Sequence, residues 1–421
     1  MRITTLTVLV ALFVAPGFAE EPTPPKLCGE LSATEGLPVL TLWGEPRERG
    51  FAHGYLLAGA IVKGADDGLA AVLRMRPGVY DEKLRPLMAM CFTFSAGERA
   101  ELEGILAGIA ARLPVEERKV PALGREMDLT DLMAVNTYGD WYALGCSSAA
   151  VFGALSPDGK AAVVRNFDFV DLDLVGRSQH VRVVAPPSGA ASGQGYVAVS
   201  FPGSIGAVTG LSGAGVFVAI HDVPVMPEMK DFVQPNVPRL VAVARLLAGL
   251  PAEGAVEKAA GLCRSWNTIF GNNFIVATPE PGDGAPAGVL EYDTREGTER
   301  GVSLRGPEEG ASAVVCSNHH RRRGEGTCGR YDALLAGIAA AEGKAFDVPG
   351  LFLLGERSAV PAAGRRISDR SFGTLHQTVA LCGRKRLYVR FAPSGGNIRD
   401  ATPTWFDASA LPAAAAAKGV R

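Results

Sequence analysis

The chain has 421 residues, 47% hydrophobic and 20% charged, with a formal net charge of −2. That balance supports a packed core and excludes a disordered or fibrous chain. The single dense basic run, Arg321-Arg322-Arg323, reads as a solvated loop, so nucleic acid is not an expected partner.

Residues 1–19 read as a secretory signal. Arg2 is the basic start, 6–14 the apolar core, and Gly17-Phe18-Ala19 puts small residues at a cleavage site. The apolar core is too short to span a bilayer, and no other stretch reaches the roughly 18 apolar residues needed. The chain is therefore expected to be exported, secreted or periplasmic, with no stable membrane span. Cys28 has no lipobox around it. Residues 21–26 are Pro-rich and extended, and 49–76 have a helical pattern. Ser95-Ala96-Gly97-Glu98 is a capping box. Leu102, Ile105, Leu106, Ile109 and Leu113 follow it at helical spacing. Residues 131–136 continue the helical region.

The pattern changes at Cys146. Strand-like runs at 161–164, 196–201 and 216–221 precede helices at 238–250 and 252–263. Strands follow at 273–278, 289–292 and 313–317, then a helix at 331–341. A hairpin of 375–382 and 386–391 turns about Gly383-Arg384, and 412–421 frays. Strands alternating with blocks of helix predict an α+β layered fold.

The chemistry centres on Leu144-Gly145-Cys146-Ser147-Ser148, followed by the turn Ser156-Pro157-Asp158-Gly159 and then Arg165-Asn166-Phe167-Asp168. A hairpin about Pro157-Asp158 or Asp158-Gly159 sets Cys146 across from 169–171, beside Asp168 and within reach of Arg165. Residues three apart on a strand face opposite ways, so Arg165 and Asp168 share one site only if the strand bulges or ends there. The competing reading is a buried or disulfide-bonded cysteine.

There are seven cysteines, and an odd count in an exported chain points to one free thiol. With Cys146 as that thiol, the other six are expected to be oxidised, Cys316 and Cys328 being the nearest local pair. No zinc spacing, phosphate loop or dinucleotide fingerprint is present, so neither metal nor cofactor is expected.

Further motifs surround this hairpin. They are Gly44-Glu45-Pro46-Arg47-Glu48-Arg49-Gly50-Phe51-Ala52-His53-Gly54, Asp131-Leu132-Met133-Ala134-Val135-Asn136, and Pro202-Gly203-Ser204-Ile205-Gly206 with Gly210 to Val216. Then come Asn272-Asn273-Phe274-Ile275-Val276 with Glu291, Ser317-Asn318-His319-His320 with Gly329-Arg330-Tyr331, and Thr374-Leu375-His376-Gln377-Thr378-Val379. In this order they resemble the N-terminal-nucleophile (Ntn) hydrolases. The closest likeness is to the acyl-CoA:6-aminopenicillanic acid (isopenicillin N) acyltransferase family. Choloylglycine hydrolases, penicillin V acylases and acid ceramidase are more distant. The resemblance implies a four-layer α-β-β-α sandwich with the nucleophile at the end of a central strand. It also implies self-cleavage between Gly145 and Cys146. A mostly helical fragment, 20–145, would then stay associated with a catalytic fragment, 146–421, in one domain.

On that reading the new α-amine, with a pKa near 7.7–8.0, takes the proton of a thiol whose ordinary pKa is near 8.5. Gly145 lets the thiol reach the preceding carbonyl and tolerates a strained peptide. Asp168 orients the α-ammonium, and Arg165 favours the thiolate or positions a substrate carbonyl. By resemblance Asn273, with Asn272 beside it, supplies the oxyanion donor. His221 stands where the bile-salt hydrolase branch has Asn or Tyr. Arg330 matches an arginine of that branch and reads equally as a helix-start charge. The implied reaction is hydrolysis, or acyl transfer, at a linear amide of a small N-acyl substrate through a thioester on Cys146. Coenzyme A is a possible acyl donor or product in the family, and export argues against it here. Two alternatives stay open: an unprocessed Cys–His thiol hydrolase using His319 or His376, and a non-catalytic, disulfide-stabilised binding protein.

Overall fold

The structure, a computed structural model, describes residues 27–411 except 74–77, 142–144, 171–177, 187–193, 226–227, 229–230, 233, 294–300, 325, 362–365, 368–369 and 394–395. The expected signal segment 1–19, the Pro-rich 21–26 and the tail 412–421 lie outside the described residues, as do Leu144 and Asp171.

The chain opens with a hairpin of β1 (Gly29–Thr34) and β2 (Leu37–Leu42). Its two-residue turn has positive φ at both Glu35 and Gly36 (48° and 84°), the geometry that matches strand twist. Helices follow: α1 (Pro46–Leu56), α2 (Ala58–Leu73), α3 (Arg85–Cys91), α4 (Ala96–Arg112), α5 (Val115–Arg118), α6 (Leu129–Val135) and α7 (Tyr138–Trp141). The capping box expected at Ser95 and Glu98 starts α4. Leu102, Ile105 and Ile109 of α4 are buried with Ile61, Leu69 and Leu132 in a helical core.

Two sheets form the centre. One runs β1-β2-β7-β8-β9-β10-β11-β12-β13. The added strands are β7 (His180–Val184), β8 (Tyr196–Ser200), β9 (Thr209–Ser212), β10 (Phe217–Val223), β11 (Gly271–Ala277), β12 (Ala287–Tyr292) and β13 (Val302–Arg305). The other runs β14-β5-β6-β16-β17-β18, with β15 on β16. Here β5 is Gly145–Val151, β6 Ala162–Val170, β14 Ala313–Cys316, β15 Arg366–Ile367, β16 Arg370–Leu381, β17 Arg386–Phe391 and β18 Thr404–Asp407.

Strand alternation shows the layering. In β5, Cys146 and Ala150 join the core between the sheets, with Leu211, Val218 and Ile220 of the facing sheet. Ala149 and Val151 turn the other way, onto α10 (Gly329–Ala339) and α11 (Val348–Glu356) through Leu334, Leu351 and Phe352. On the far side α8 (Arg239–Gly249) and α9 (Ala255–Cys263) cover β9 to β13. The architecture is α-β-β-α, as expected, with β5 and β6 interior to their sheet.

The hairpin register departs from expectation. Cys146 lies across from Phe167, and Gly145 from Asp168, two to four residues short of the predicted partners 169–171. The predicted tight turn at Pro157 is instead a longer connection across 152–161. It contains a 3₁₀ turn at Gly153–Leu155, with Gly153 at positive φ, and ladder pairing ends at Val151–Ala162. None of the expected disulfides is formed among the described residues. The predicted local pair is unbonded, and both sulfurs contact Ser317. Cys316 is wholly buried in β14, while Cys328 sits at the start of α10 with its sulfur 3.1 Å from Ser317 Oγ. Among the described residues, no helix is long and apolar enough to cross a membrane, and no cluster of three metal-ligating side chains occurs.

Candidate active site

Cys146 is the second residue of β5 and is fully buried. Its sulfur accepts a hydrogen bond from Arg165 Nη2 at 3.2 Å. Its backbone nitrogen donates to Asn318 Oδ1 at 2.8 Å. Burial pushes the thiol up to about 12, against the pull of the Arg165 charge. In the intact chain the sulfur is thus protonated at neutral pH.

The parity question raised by Arg165 and Asp168 has a definite answer. Neither residue needs a bulge in β6, because they reach Cys146 from opposite faces. Arg165 shares the inner face of Phe167 and spans to the facing sheet, where its Nη2 donates to the Ile220 carbonyl of β10 at 3.0 Å. Its Nη1 meets His376 Nε2 at 2.9 Å, and its guanidinium lies 5.2 Å from the Phe167 ring centre. Asp168 faces the outer helices. Its Oδ2 accepts from Arg330 Nη1 at 2.5 Å, and its Oδ1 from the Thr374 hydroxyl at 2.5 Å.

Arg330 joins the two halves. Its Nη2 donates to Asn318 Oδ1 at 2.6 Å, the oxygen that also holds the Cys146 nitrogen. Arg330 lies in the first turn of α10, where a positive charge opposes the helix dipole. The Asp168 and Asn318 contacts, not the helix end, account for it. Asn318 Nδ2 donates to the Asp222 carbonyl at 2.7 Å.

Other candidates fall elsewhere. Asn273 does not present its carboxamide to the sulfur. Its Nδ2 donates to the Ser317 and His319 carbonyls, both at 2.9 Å, so it brackets Asn318 and fixes that loop. Asn272, next along β11, points away and bonds Thr268, the Phe270 carbonyl and Arg239. His221 Nε2 pairs with Ser148 Oγ at 2.8 Å, and burial pushes the ring well below its usual range, so it stays neutral. Among the described residues no histidine hydrogen-bonds the Cys146 sulfur. His376 stops at Arg165, and His319 stacks edge-on against Tyr331. This geometry counts against the Cys–His alternative.

Gly145 is also explained. A Cβ there would sit 2.6 Å from Phe372 Cζ, 3.0 Å from Asp168 Cβ and 3.2 Å from Arg330 Nη1. A side chain on the residue before the thiol would collide with the Phe372 ring and press on the Asp168–Arg330 pair.

Sequence reasoning missed roles for Asn318, Thr374 and Gln179. Asn318 and Thr374 stand in motifs already noted. Nothing in the sequence says which residue of Ser317-Asn318-His319-His320 turns toward a strand 172 residues away in the chain.

No protein-family model matches the sequence, and no curated protein is significantly similar to it. Solved structures are. A mutant of the conjugated bile acid hydrolase from Clostridium perfringens aligns over 63% of this chain and 94% of its own, at 12% identity and a TM-score of 0.44. A Caenorhabditis elegans orthologue of N-acylethanolamine-hydrolyzing acid amidase aligns over 56% and 93%, at 13% identity and 0.41. Penicillin V acylase from Agrobacterium tumefaciens aligns over 62% and 86%, at 15% identity and 0.44. Bile acid hydrolase and penicillin V acylase are of the kinds that the sequence motifs pointed to.

Proposed function

We propose that this chain is a self-processing cysteine amidase of the Ntn type, exported by its first 19 residues, that hydrolyses a linear amide of a small N-acyl substrate. The observation that carries this reading is that the site is assembled around the backbone nitrogen of Cys146 as well as around its sulfur. An ordinary thiol enzyme has no use for a half-buried carboxamide oxygen on that nitrogen, backed by a half-buried arginine paired with a buried aspartate. A freed α-amine would need just such partners.

Processing follows from the same atoms. The Cys146 sulfur attacks the Gly145 carbonyl carbon, the C–N bond breaks, and the proton passes to the departing nitrogen, leaving a thioester and a free amine. Water then cleaves the thioester, giving a Gly145 carboxylate and restoring the thiol. In turnover the α-amine takes the thiol proton and the thiolate attacks the substrate amide carbon. The α-ammonium returns the proton to the leaving amine, and water deacylates the enzyme. Arg165 stabilises the thiolate, and Asp168 acts through Arg330 to hold the amine's surroundings. This reading gives Asn318 Oδ1 the α-amine, which it already holds as the Cys146 backbone nitrogen, and it assigns no side-chain oxyanion donor, since Nδ2 of both Asn273 and Asn318 donates to backbone carbonyls. Water as acceptor outside the cell favours hydrolysis over acyl transfer.

Intact mass and N-terminal sequencing of the purified protein, followed by a panel of N-acyl amides of graded acyl length, test the proposal. A fragment beginning Cys-Ser-Ser with amide turnover supports it. A single intact chain with full turnover overturns the self-processing reading.

A further inference from the structure

We propose that His376 and Gln179 form a positioning pair that holds the Arg165 guanidinium against the Cys146 sulfur. The inference rests on the reading of Cys146 as the nucleophile and assigns His376 a role other than that of a base.

The chain of contacts is short and buried throughout. Arg165 Nη2 donates to Cys146 Sγ at 3.2 Å, and Nη1 lies 2.9 Å from His376 Nε2. His376 Nδ1 lies 2.5 Å from Gln179 Oε1. A guanidinium only donates, so His376 Nε2 must accept and carry no proton. The proton then sits on Nδ1 and is donated to the Gln179 oxygen. The ring is locked in one neutral tautomer, with an imidazolium excluded by the facing N–H of Arg165. Burial, then the Arg165 charge, hold the ring well below its usual range. Phe167 fixes its plane, stacked at 4.8 Å. The same Gln179 carboxamide donates through Nε2 to the Leu375 carbonyl at 3.5 Å.

Backbone geometry delivers this arrangement. The β6–β16 register shifts between Thr374 and His376. Two residues apart on a regular strand, they would face the same way. The bulge splits them, sending Thr374 to Asp168 and His376 to Arg165. It therefore serves both sides of the nucleophile, and Gln179 grips the carbonyl at its apex.

Without its acceptor on Nη1, the guanidinium loses one of the fixed points that aim Nη2 at the sulfur. The groups whose charges bear on that sulfur are Arg165 and Asp168 of β6, Asp222 of β10 and Arg330 of α10. Only Arg165 touches His376, so a change at His376 reaches the thiol through Arg165.

The test is the pH profile of iodoacetamide alkylation at Cys146, read by peptide mass mapping on the purified full chain, with cleaved and uncleaved fractions scored separately. His376→Ala is expected to displace the profile upward by about one pH unit, a tenfold slower reaction at a given pH below the midpoint. His376→Gln keeps an acceptor oxygen and is expected to recover most of the rate. Arg165→Met is expected to shift the profile at least as far, with no added effect of His376→Ala on top of it. If His376→Ala fails to fold, Gln179→Leu carries the test, with a smaller shift in the same direction. An unshifted profile in the folded variants, or a His376→Ala shift that persists in the Arg165→Met background, overturns the proposal. Alkylation needs neither substrate nor self-cleavage, so absence of amide turnover would count against the hydrolase reading and leave this result standing.

Discussion

Asn318 Oδ1 accepts from both the Cys146 backbone nitrogen, at 2.8 Å, and Arg330 Nη2, at 2.6 Å. One neutral oxygen thus lies between the nitrogen that self-cleavage would free and a cation that is itself paired with a buried carboxylate. A primary amine formed here would find an acceptor in place, with Arg330 disfavouring a second positive charge. That bias keeps the amine in its basic form, which is the form that takes a thiol proton.

Asn318→Ala removes this acceptor, and with it the Nδ2 bond to the Asp222 carbonyl. Turnover of an N-acyl amide is expected to fall by about 10²-fold, the lower end of what a positioned base contributes, with the far-ultraviolet spectrum unchanged. Asn273→Ala should have a smaller effect, because it loosens the Ser317 and His319 carbonyls and leaves the Asn318 side chain in place. Equal losses in both variants would show that the loop, rather than Asn318 itself, matters.

Cleavage should yield 20–145 and 146–421 on a reducing gel. Cys146→Ala is expected to remain a single chain without activity. Cys146→Ser should process slowly, since its hydroxyl ionises far above neutral pH and is the weaker nucleophile. N-terminal sequencing of the wild-type larger chain should begin Cys-Ser-Ser. A different first residue would move the nucleophile elsewhere.

The layered fold was legible because strand and helix patterns switch cleanly at Cys146 and again around 238 and 331. Cys146, Arg165, Asp168 and Arg330 were legible because three lie on one hairpin and the fourth in a recognisable motif. Other features were out of reach. The register was misjudged because Ser-Pro-Asp-Gly looks like a two-residue turn, while the chain inserts a 3₁₀ turn at Gly153–Leu155. Between Asn272 and Asn273, composition cannot say which side chain faces inward. A strand doublet has opposite faces, and here neither amide reaches the sulfur. The β16 bulge leaves no mark in Thr374-Leu375-His376, so the opposite orientations of Thr374 and His376 could not be foreseen. The β1–β2 hairpin escaped notice because Glu35 occupies a positive-φ position usually taken by Asn, Asp or Gly.

Arg330 and Asp168 should respond unequally to truncation. Arg330→Met leaves the wholly buried Asp168 carboxylate without its cation, with an expected loss of about 3 kcal/mol. Asp168→Asn keeps the shape and the Thr374 contact, and the partly exposed Arg330 can take up water. Thermal unfolding should therefore rank Arg330→Met below Asp168→Asn, although both lose most activity. The reverse order would mean that Asp168 is neutralised by another group.

The thiols give an independent reading. Hydrogen bonds from His319, Ser317 and the Tyr331 N–H outweigh burial and bring Cys328 down to about 6, and it is half-buried. Native protein at pH 7 should therefore label first at Cys328, and more slowly at Cys146. After denaturation without reductant, seven equivalents should be taken up, matching the free thiols of the structure. Uptake of one equivalent would restore the three-disulfide expectation.

Asp140 sets a pH dependence of stability away from the site. It is buried beside Arg239, whose backbone N–H donates to it at 3.2 Å and whose Nε lies 3.3 Å away. Arg239 also pairs with Asp222 at 2.5 Å, so two buried carboxylates share one guanidinium. Burial, only partly offset by Arg239, raises Asp140 to about 7. A carboxylate with a raised folded pKa binds its proton more tightly in the native state than in the unfolded one, where its ordinary value is near 3.9. Its contribution is fully present below about pH 4 and is lost as pH rises through about 7. Asp140→Asn cannot titrate, so the wild-type minus variant difference in Tm should fall steadily between pH 4 and 7 and level off above. Other titrating groups cancel in that difference. A difference that stays flat, or that rises with pH, would show that Arg239 keeps Asp140 ionised throughout.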